Sequence, residues 1–550
     1  MESQRSILII GLLLVSFLLW IEYQEANAPQ AIIPAEQTEQ ARSETEQSNE
    51  TGFVPQADND SLISPVNTDT SNKQRLINVT TDTLHLVIDT LGGDVISADL
   101  IKYPVTQGGD DAFQVFSNKA ATLYIAQSGL IGKQGVDLST GRANYNVPRE
   151  TYVLSEGEEQ IVVPLSTVTK EGIIVTKNFV FTRGSHAVEV SYTINNTTNS
   201  PAHVQQYAQL KQSLVEREGG SMFMPTYRGA AYGTLEDNYE KYKFPEFEDE
   251  KLNLATQGGW VAMLEHYFVS TWIAPKTGTN TLYSTISNNA AIIGYKGESL
   301  SIPAGETTTV SSTLYVGPKD QDTLAGLAKG LDLTVDYGIL WWLSQPLFAM
   351  LKWIYDLVGN WGVAIIFITI IVKGAMYWLT KKQYESMAKM RALAPKLQQL
   401  KDRYGDDKQK MSKGMMDLYK KEKVNPMGGC FPMLLQMPIF MALYWVLLES
   451  VELRHADFAL WITDLSIPDP WFVLPILTAA SMFLLQRLQP MTIQDPMQQK
   501  IFKYMPVGMG VFFIFFPAGL VLYWLISNVI TLVQAKIIYA SMEKRGLKTK

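Results

Sequence analysis

Hydrophobic residues follow two different rhythms along this chain. Between about Lys73 and Pro318 they alternate with polar residues, the period of a half-buried strand. Leu84, Leu86 and Ile88 alternate with Thr83, His85 and Val87, and Gly92-Gly93-Asp94 then marks a turn. Val188, Val190, Tyr192 and Ile194 repeat the alternation before Asn195-Asn196. Ile161–Val163, Ile173–Phe181 and Thr307–Val316 carry the same theme. Many short strands, turn signals between them and no intervening helices predict an antiparallel sandwich. A short helix is expected over Thr323–Leu331.

Beyond Ile339 the pattern changes. Ile339–Val358 is rich in aromatics, with Trp341, Trp342, Phe348, Trp353 and Tyr355, and predicts a helix lying in the membrane interface. Continuous apolar runs follow. Trp361–Trp378 is long enough for about 27 Å of helix. Cys430–Leu448 and Trp471–Leu488 are similar runs. Tyr504–Ile538 is too long for one ordinary span, and Pro517-Ala518-Gly519 should fold it into a hairpin. Its first arm, Tyr504–Phe516, is short. It reaches about 20 Å against a hydrocarbon core of about 30 Å, so local thinning of the bilayer is expected. Near the start, Ser6–Ile21 is almost wholly apolar and is read as an anchor. Ala26-Asn27-Ala28 offers a signal-peptide cleavage pattern instead, but Pro29 follows it and Arg5 is the only basic residue ahead of the run. Glu22 to about Asn72 is polar and reads as a tether.

Charge orients these segments. The whole chain carries a net −8, which hides a split: residues 339–550 hold 24 Lys/Arg against 14 Asp/Glu, and the block before them is strongly acidic. Lys381–Lys423 holds 13 basic and 6 acidic residues, which places it in the cytoplasm, whereas Glu449–Pro470 holds five acids and one Arg. The tail after Ala540 is basic. Six spans with both termini cytoplasmic satisfy every loop, and the acidic β region then lies in the periplasm of a two-membrane bacterium. The single cysteine, Cys430, excludes an intrachain disulfide and reads as a small buried apolar residue.

Catalytic patterns are missing. The five histidines lack metal-ligand spacing, and there is no phosphate-binding loop, nucleophile elbow or carboxylate pair within a span. Nothing calls for a cofactor or an enzymatic activity. The sharpest feature is Lys373 inside an apolar run, which costs about 2.5–3.5 kcal/mol at the centre of a span unless the group is paired, hydrated or snorkelling. One reading is a lysine snorkelling to the boundary near Lys381. The other is a cation facing a hydrated cavity, with Thr369 one turn away and Gln436, Gln486, Ser527, Asn528 and Thr531 on other spans as further lining. Residues 381–423 predict a helical hairpin with apolar stripes (Tyr384, Met387, Leu397; Met411, Met415, Leu418) and basic outer faces, either packed on itself or serving as a docking arm. Ten of the 21 methionines fall between Met376 and Met441, which suits surfaces accepting varied apolar partners. A channel or secondary transporter would need a continuous polar path or internal repeats, and neither is visible. A sugar-binding β domain with the spans as anchor is a further rival.

Several motifs together resemble one family. They are Trp361-Gly362 with Lys373-Gly374, Ser386-Met387-Ala388-Lys389-Met390, Asn425-Pro426-Met427-Gly428-Gly429-Cys430, Gln436-Met437-Pro438-Ile439-Phe440 and Phe516-Pro517-Ala518-Gly519-Leu520. Over about residues 330–545 they resemble the YidC family of bacterial inner-membrane insertases, related to the mitochondrial and thylakoid insertases. The resemblance implies a membrane α-helical bundle of six transmembrane helices, with a five-helix insertase core, plus a periplasmic all-β supersandwich. It divides the chain into an anchor (1–21), a linker (22–72), the β domain with a C-terminal helix (73–338), an interfacial helix (339–358), the core (359–540, with the cytoplasmic hairpin 381–423) and a basic tail (541–550). It further implies a hydrophilic groove closed to the periplasm, with its cation at Lys373 and a polar neighbour at Thr369. Substrate contacts are implied at Met437 and Pro438, at Phe512 and Phe516, and at Tyr523 and Trp524. Implied partners are nascent membrane proteins, the Sec translocon, ribosomes, the signal-recognition-particle receptor and the lipid bilayer. Two departures stand out: the family's groove cation is most often Arg, and Trp524 stands where Tyr is common. Lys keeps the charge but lacks the planar fork of Arg.

Overall fold

The computed structural model describes residues 53–57, 75–138, 141–215, 227–405, 407–422, 431–488 and 496–544. The expected anchor (1–21), the linker apart from 53–57, the Asn425–Cys430 motif and residues 545–550 of the tail lie outside them.

Alternating sequence becomes alternating burial. In the strand Ala187–Asn195, Val188, Val190, Tyr192 and Ile194 are buried while Glu189 is exposed. Among the described residues 18 strands form one ten-stranded and one eight-stranded sheet. The long strand Ala202–Ser213 lies in the larger sheet, antiparallel to both Tyr124–Ile131 and Ala290–Ile302. Thr307–Pro318 holds the equivalent place in the smaller sheet, between Ala187–Asn195 and Phe268–Ile273. Leu86, Ile88 and Leu130 from one sheet meet Phe179, Val190 and Leu314 from the other in one core. The turn expected at Gly92-Gly93 is present, with φ of 79° and 62°, a region open to glycine and strained for other residues. Lys177 crosses the sandwich and donates to the carbonyls of Gly92 (3.2 Å), Gly93 (2.7 Å) and Ser128 (3.0 Å). Burial pulls its ammonium down to about 7.

Two short helices belong to this region, α1 (Glu246–Asp249) and α2 (Gln321–Leu327). Asp320 caps α2 by accepting from the Thr323 amide at 2.8 Å, so the helix begins ahead of the span expected from sequence. Then come α3 (Trp341–Val358), α4 (Trp361–Ala375), α5 (Tyr377–Ala392), α6 (Ala394–Tyr404), α7 (Lys408–Lys421), α8 (Phe431–Glu449), α9 (Val473–Leu488), α10 (Pro496–Phe512) and α11 (Ala518–Glu543). On α3, Ser344, Leu347, Phe348, Leu351 and Ile354 are buried at helical spacing, whereas Trp341, Trp342 and Trp353 are exposed.

The apolar run that began at Trp361 does not stay straight. It ends at Ala375, and α5 departs at 60° to it. Polar residues take over beyond Trp378, and α5 is drawn aside by packing Tyr384 and Ala388 on Ala535, Ile538 and Met542 of α11. The expected cytoplasmic hairpin contains three helices, because Pro395 at the start of α6 cannot continue α5. Asp407 caps α7, accepting from the Lys410 amide at 3.1 Å. The break at Pro517 falls where sequence placed it, with a 3-10 turn at Phe513–Phe515 before α11. Among the described helices, α11 alone is long and apolar enough to cross a bilayer by itself. The 16 residues of α9 reach about 24 Å.

The segment 450–470 joins α8 to α9 and touches several elements. Asn360 caps α4 through the Val363 amide (2.9 Å) and donates to the Phe458 carbonyl (3.0 Å). The first amides of α11, Ala518 and Gly519, donate to the carbonyls of Ile467 (2.8 Å) and Leu465 (2.9 Å). From the β region, the Pro104 carbonyl accepts from Arg454 at 2.6 Å, and Gln107 donates to Asp457 at 2.9 Å. His266 sits 2.9 Å from the Leu448 carbonyl, and buried Lys319 faces buried Glu449 at 3.9 Å.

Candidate functional site

Lys373 occupies the last turn of α4 rather than the middle of a longer span, because α4 stops at Ala375. A cation there is favoured by the partial negative charge of a helix C-terminus. The side chain is 7% exposed, and its Nζ donates to Thr531 Oγ1 of α11 at 3.2 Å. Thr531 passes its own proton to the Ser527 carbonyl at 2.7 Å, which leaves its lone pairs for the ammonium. Gln534 donates to the Lys373 carbonyl at 3.0 Å. Ser527, Thr531 and Gln534 share one face of α11 through their i, i+4, i+7 spacing. No carboxylate pairs with Lys373 among the described residues.

The polar layer extends to α9. Asn528 donates to Ser481 Oγ at 3.0 Å, and Ser481 donates to the Thr478 carbonyl at 2.7 Å. Gln534 Oε1 and Thr478 Oγ1 are buried without a hydrogen-bond partner among the described residues. Thr369 is fully buried one turn before Lys373, but its hydroxyl is taken by the Ile365 carbonyl at 2.5 Å. Gln436 and Gln486 are half-buried on α8 and α9, and Gln436 makes no hydrogen bond to this layer among the described residues. Sequence reasoning missed Thr478, Ser481 and Gln534. The signal was available: Thr478 and Ser481 lie at i, i+3 in an apolar helix, and Gln534 continues the Ser527–Thr531 face.

The positions implied for substrate contact fall into two environments. Phe516 and Tyr523 are buried in the bundle core. Trp524 is half-buried, with its ring edge-on to Phe440 (4.5 Å) and Phe513 (4.6 Å). Met437 is 48% exposed and Phe512 38% exposed, so both present apolar surface outward. Pro438 lies inside α8. An indole at position 524 fills the gap between α8 and the Phe513 turn with a larger face than a phenol would.

Residues 76–350 match the model of the YidC periplasmic domain, and residues 353–545 match that of the 60Kd inner membrane protein. The chain is 58% identical to a membrane protein insertase YidC of Pseudoalteromonas atlantica, and alignment covers all of both chains. The same-named proteins of Shewanella halifaxensis and Aeromonas hydrophila are 52% and 50% identical, again over the full length of both. A crystal structure of an active YidC insertase with its first transmembrane domain resolved aligns over 84% of this chain and 92% of that one, at 18% identity and a TM-score of 0.37. On the sequence matches, which span the β region and the helical bundle alike, the chain belongs to the YidC family of inner-membrane protein insertases, which are not enzymes.

Proposed function

We propose that this protein moves hydrophobic segments of nascent proteins into the inner membrane of a Gram-negative bacterium, through a polar groove centred on Lys373. The observation that carries the reading is two polar contacts between helices, Lys373 to Thr531 and Asn528 to Ser481, within a largely apolar bundle. A polar or acidic segment of cargo enters from the cytoplasm and meets the ammonium, while the apolar segment slides over the exposed surface near Met437 and Phe512. Burial of that segment in lipid drives the transfer at roughly 25 cal/mol per Å². Six spans with cytoplasmic termini, the division into anchor, linker, β domain, interfacial helix, core and tail, and thinning over the short α10 arm belong to the same proposal. So do alliance with the Sec translocon and docking of ribosomes or the signal-recognition-particle receptor on the basic hairpin and tail.

Photocrosslinkers placed at Met437 and Phe512 in cells test it. Capture of nascent membrane proteins at both positions is expected, with no capture from the exposed β-domain control Val168. Equal capture at all three positions would overturn the path.

A further inference from the structure

The larger sheet is buried on both faces along its centre: every residue of Tyr124–Ile131 is buried, and in Ala202–Ser213 only His203 is exposed. One face packs on the smaller sheet. A chain of polar side chains occupies the other. Arg142 donates to Asp94 Oδ1 at 2.6 Å, and Gln127 donates to Asp94 Oδ2 at 2.7 Å. Gln209 Nε2 donates to Gln127 Oε1 at 2.9 Å, and Tyr283 donates to Gln209 Oε1 at 2.6 Å. These bonds fix which end of the Gln209 amide carries the protons. Its second N–H reaches the backbone carbonyl of Phe53 at 3.0 Å. Phe53–Ala57 forms no regular element and lies ahead of the first strand, yet Val54 and Pro55 are buried. Val54 clusters with Ile131 and Tyr207, and Ala57 packs against them.

We propose that this face is a binding site for an extended segment of polypeptide, occupied in cis by residues 53–57. Its polar equipment is made of donors. Gln209 offers an N–H, and the Tyr207 hydroxyl and Arg142 Nη1 are buried with no partner among the described residues. Donors of this kind, beside an apolar patch from Ile131, fit backbone carbonyls flanked by a small apolar side chain. That is recognition of a main chain rather than of one sequence. Were the strap to leave, the Gln209 N–H would lose its carbonyl partner, a place that another main-chain carbonyl can fill. Tethering gives residues 53–57 a local concentration on the order of millimolar, and a second polypeptide has to compete with it.

The test uses the full chain in detergent and a fluorescein-labelled synthetic peptide of residues 50–60, read by anisotropy. It involves no cargo insertion, so its outcome is separate from that of the insertion reading. Val54→Asp in the chain weakens the strap and is expected to tighten peptide binding at least about tenfold over the unaltered chain. Adding Gln209→Leu is expected to remove the gain. Tyr207→Phe deletes only a hydroxyl that the seated strap leaves unpartnered, and is expected to leave peptide binding in the Val54→Asp chain unchanged. No gain from Val54→Asp, or undiminished binding once Gln209→Leu is added, would overturn the proposal.

Discussion

Replacing Lys373 with Met keeps most of the apolar stem and removes the ammonium. If the charge serves cargo, the variant loses insertion without losing stability. The deleted hydrogen bond to Thr531 is one to a charged group, worth about 1.5–3 kcal/mol. Lys373 sits in the last turn of α4, so relief from holding a cation in the bundle returns less than the about 2.5–3.5 kcal/mol of a mid-span charge. Thr531 keeps its bond to the Ser527 carbonyl, so no new unpaired donor appears. The two terms nearly cancel, and Lys373→Met is expected to stay within about 1 kcal/mol of the unaltered protein in detergent. The functional term does not cancel. A cargo carboxylate about 4 Å from the ammonium gains about 1 kcal/mol in a fully hydrated groove and about 4 kcal/mol at an effective dielectric of about 20. Its loss slows insertion between about fivefold and several hundredfold. The assay is insertion of an acidic single-span protein in a strain depleted of its own insertase, with thermal unfolding measured alongside. Lys373→Arg should retain insertion, and Lys373→Glu should fall below Met. Full insertion by the Glu variant would refute the reasoning, as would a Met variant destabilised by the whole of the lost charged hydrogen bond with no offsetting relief.

Three further outcomes follow from packing and burial. Lys319→Met strands Glu449 and should destabilise the joint between β domain and bundle by no more than the lower end of about 3–5 kcal/mol, since the pair is long at 3.9 Å; denaturant unfolding with a reporter at Trp445 would show it. Burial drives His186 and His266 down to about 4, so the folded state keeps both neutral while the unfolded chain protonates them near 6.5. The stability they contribute is fully present above pH 6.5 and is lost as pH falls from there to 4, by up to about 3 kcal/mol each. Melting temperatures that fail to drop between about pH 7 and 4.5, or that drop equally in His186→Gln/His266→Gln, would contradict this. Gly362→Ala would place a methyl 2.0 Å from the Phe458 ring and should cost about 1–3 kcal/mol by overpacking, measurable as a lowered melting point.

The β architecture was legible because one period governs it: Val188 to Ile194 alternate in sequence and in burial alike. The run from Trp361 was legible as apolar helix but not as bent, since the bend comes from Tyr384 and Ala388 packing on the last helix of the chain, far away in sequence. Lys373 stood out because a cation in an apolar run violates local preference. Thr531, Asn528 and Ser527 were found as polar residues in a hydrophobic stretch. Thr478, Ser481 and Gln534 were passed over because small hydroxyls and a lone amide also satisfy themselves within helices, as Thr369 does. The docking of Arg454 and Gln107 between distant parts of the chain has no local signature. Those bonds link residues some 350 positions apart.

Asn360, Ala518 and Gly519 make the segment 450–470 a keystone. Two helix starts and the β domain commit their end groups to its carbonyls and side chains. Prising it out would bare several of those groups at once, each an added cost, so the segment is held at that end of the bundle by hydrogen bonds as much as by bulk. On the insertion path proposed above, such a lintel would leave a guest chain its easiest exit sideways, into lipid.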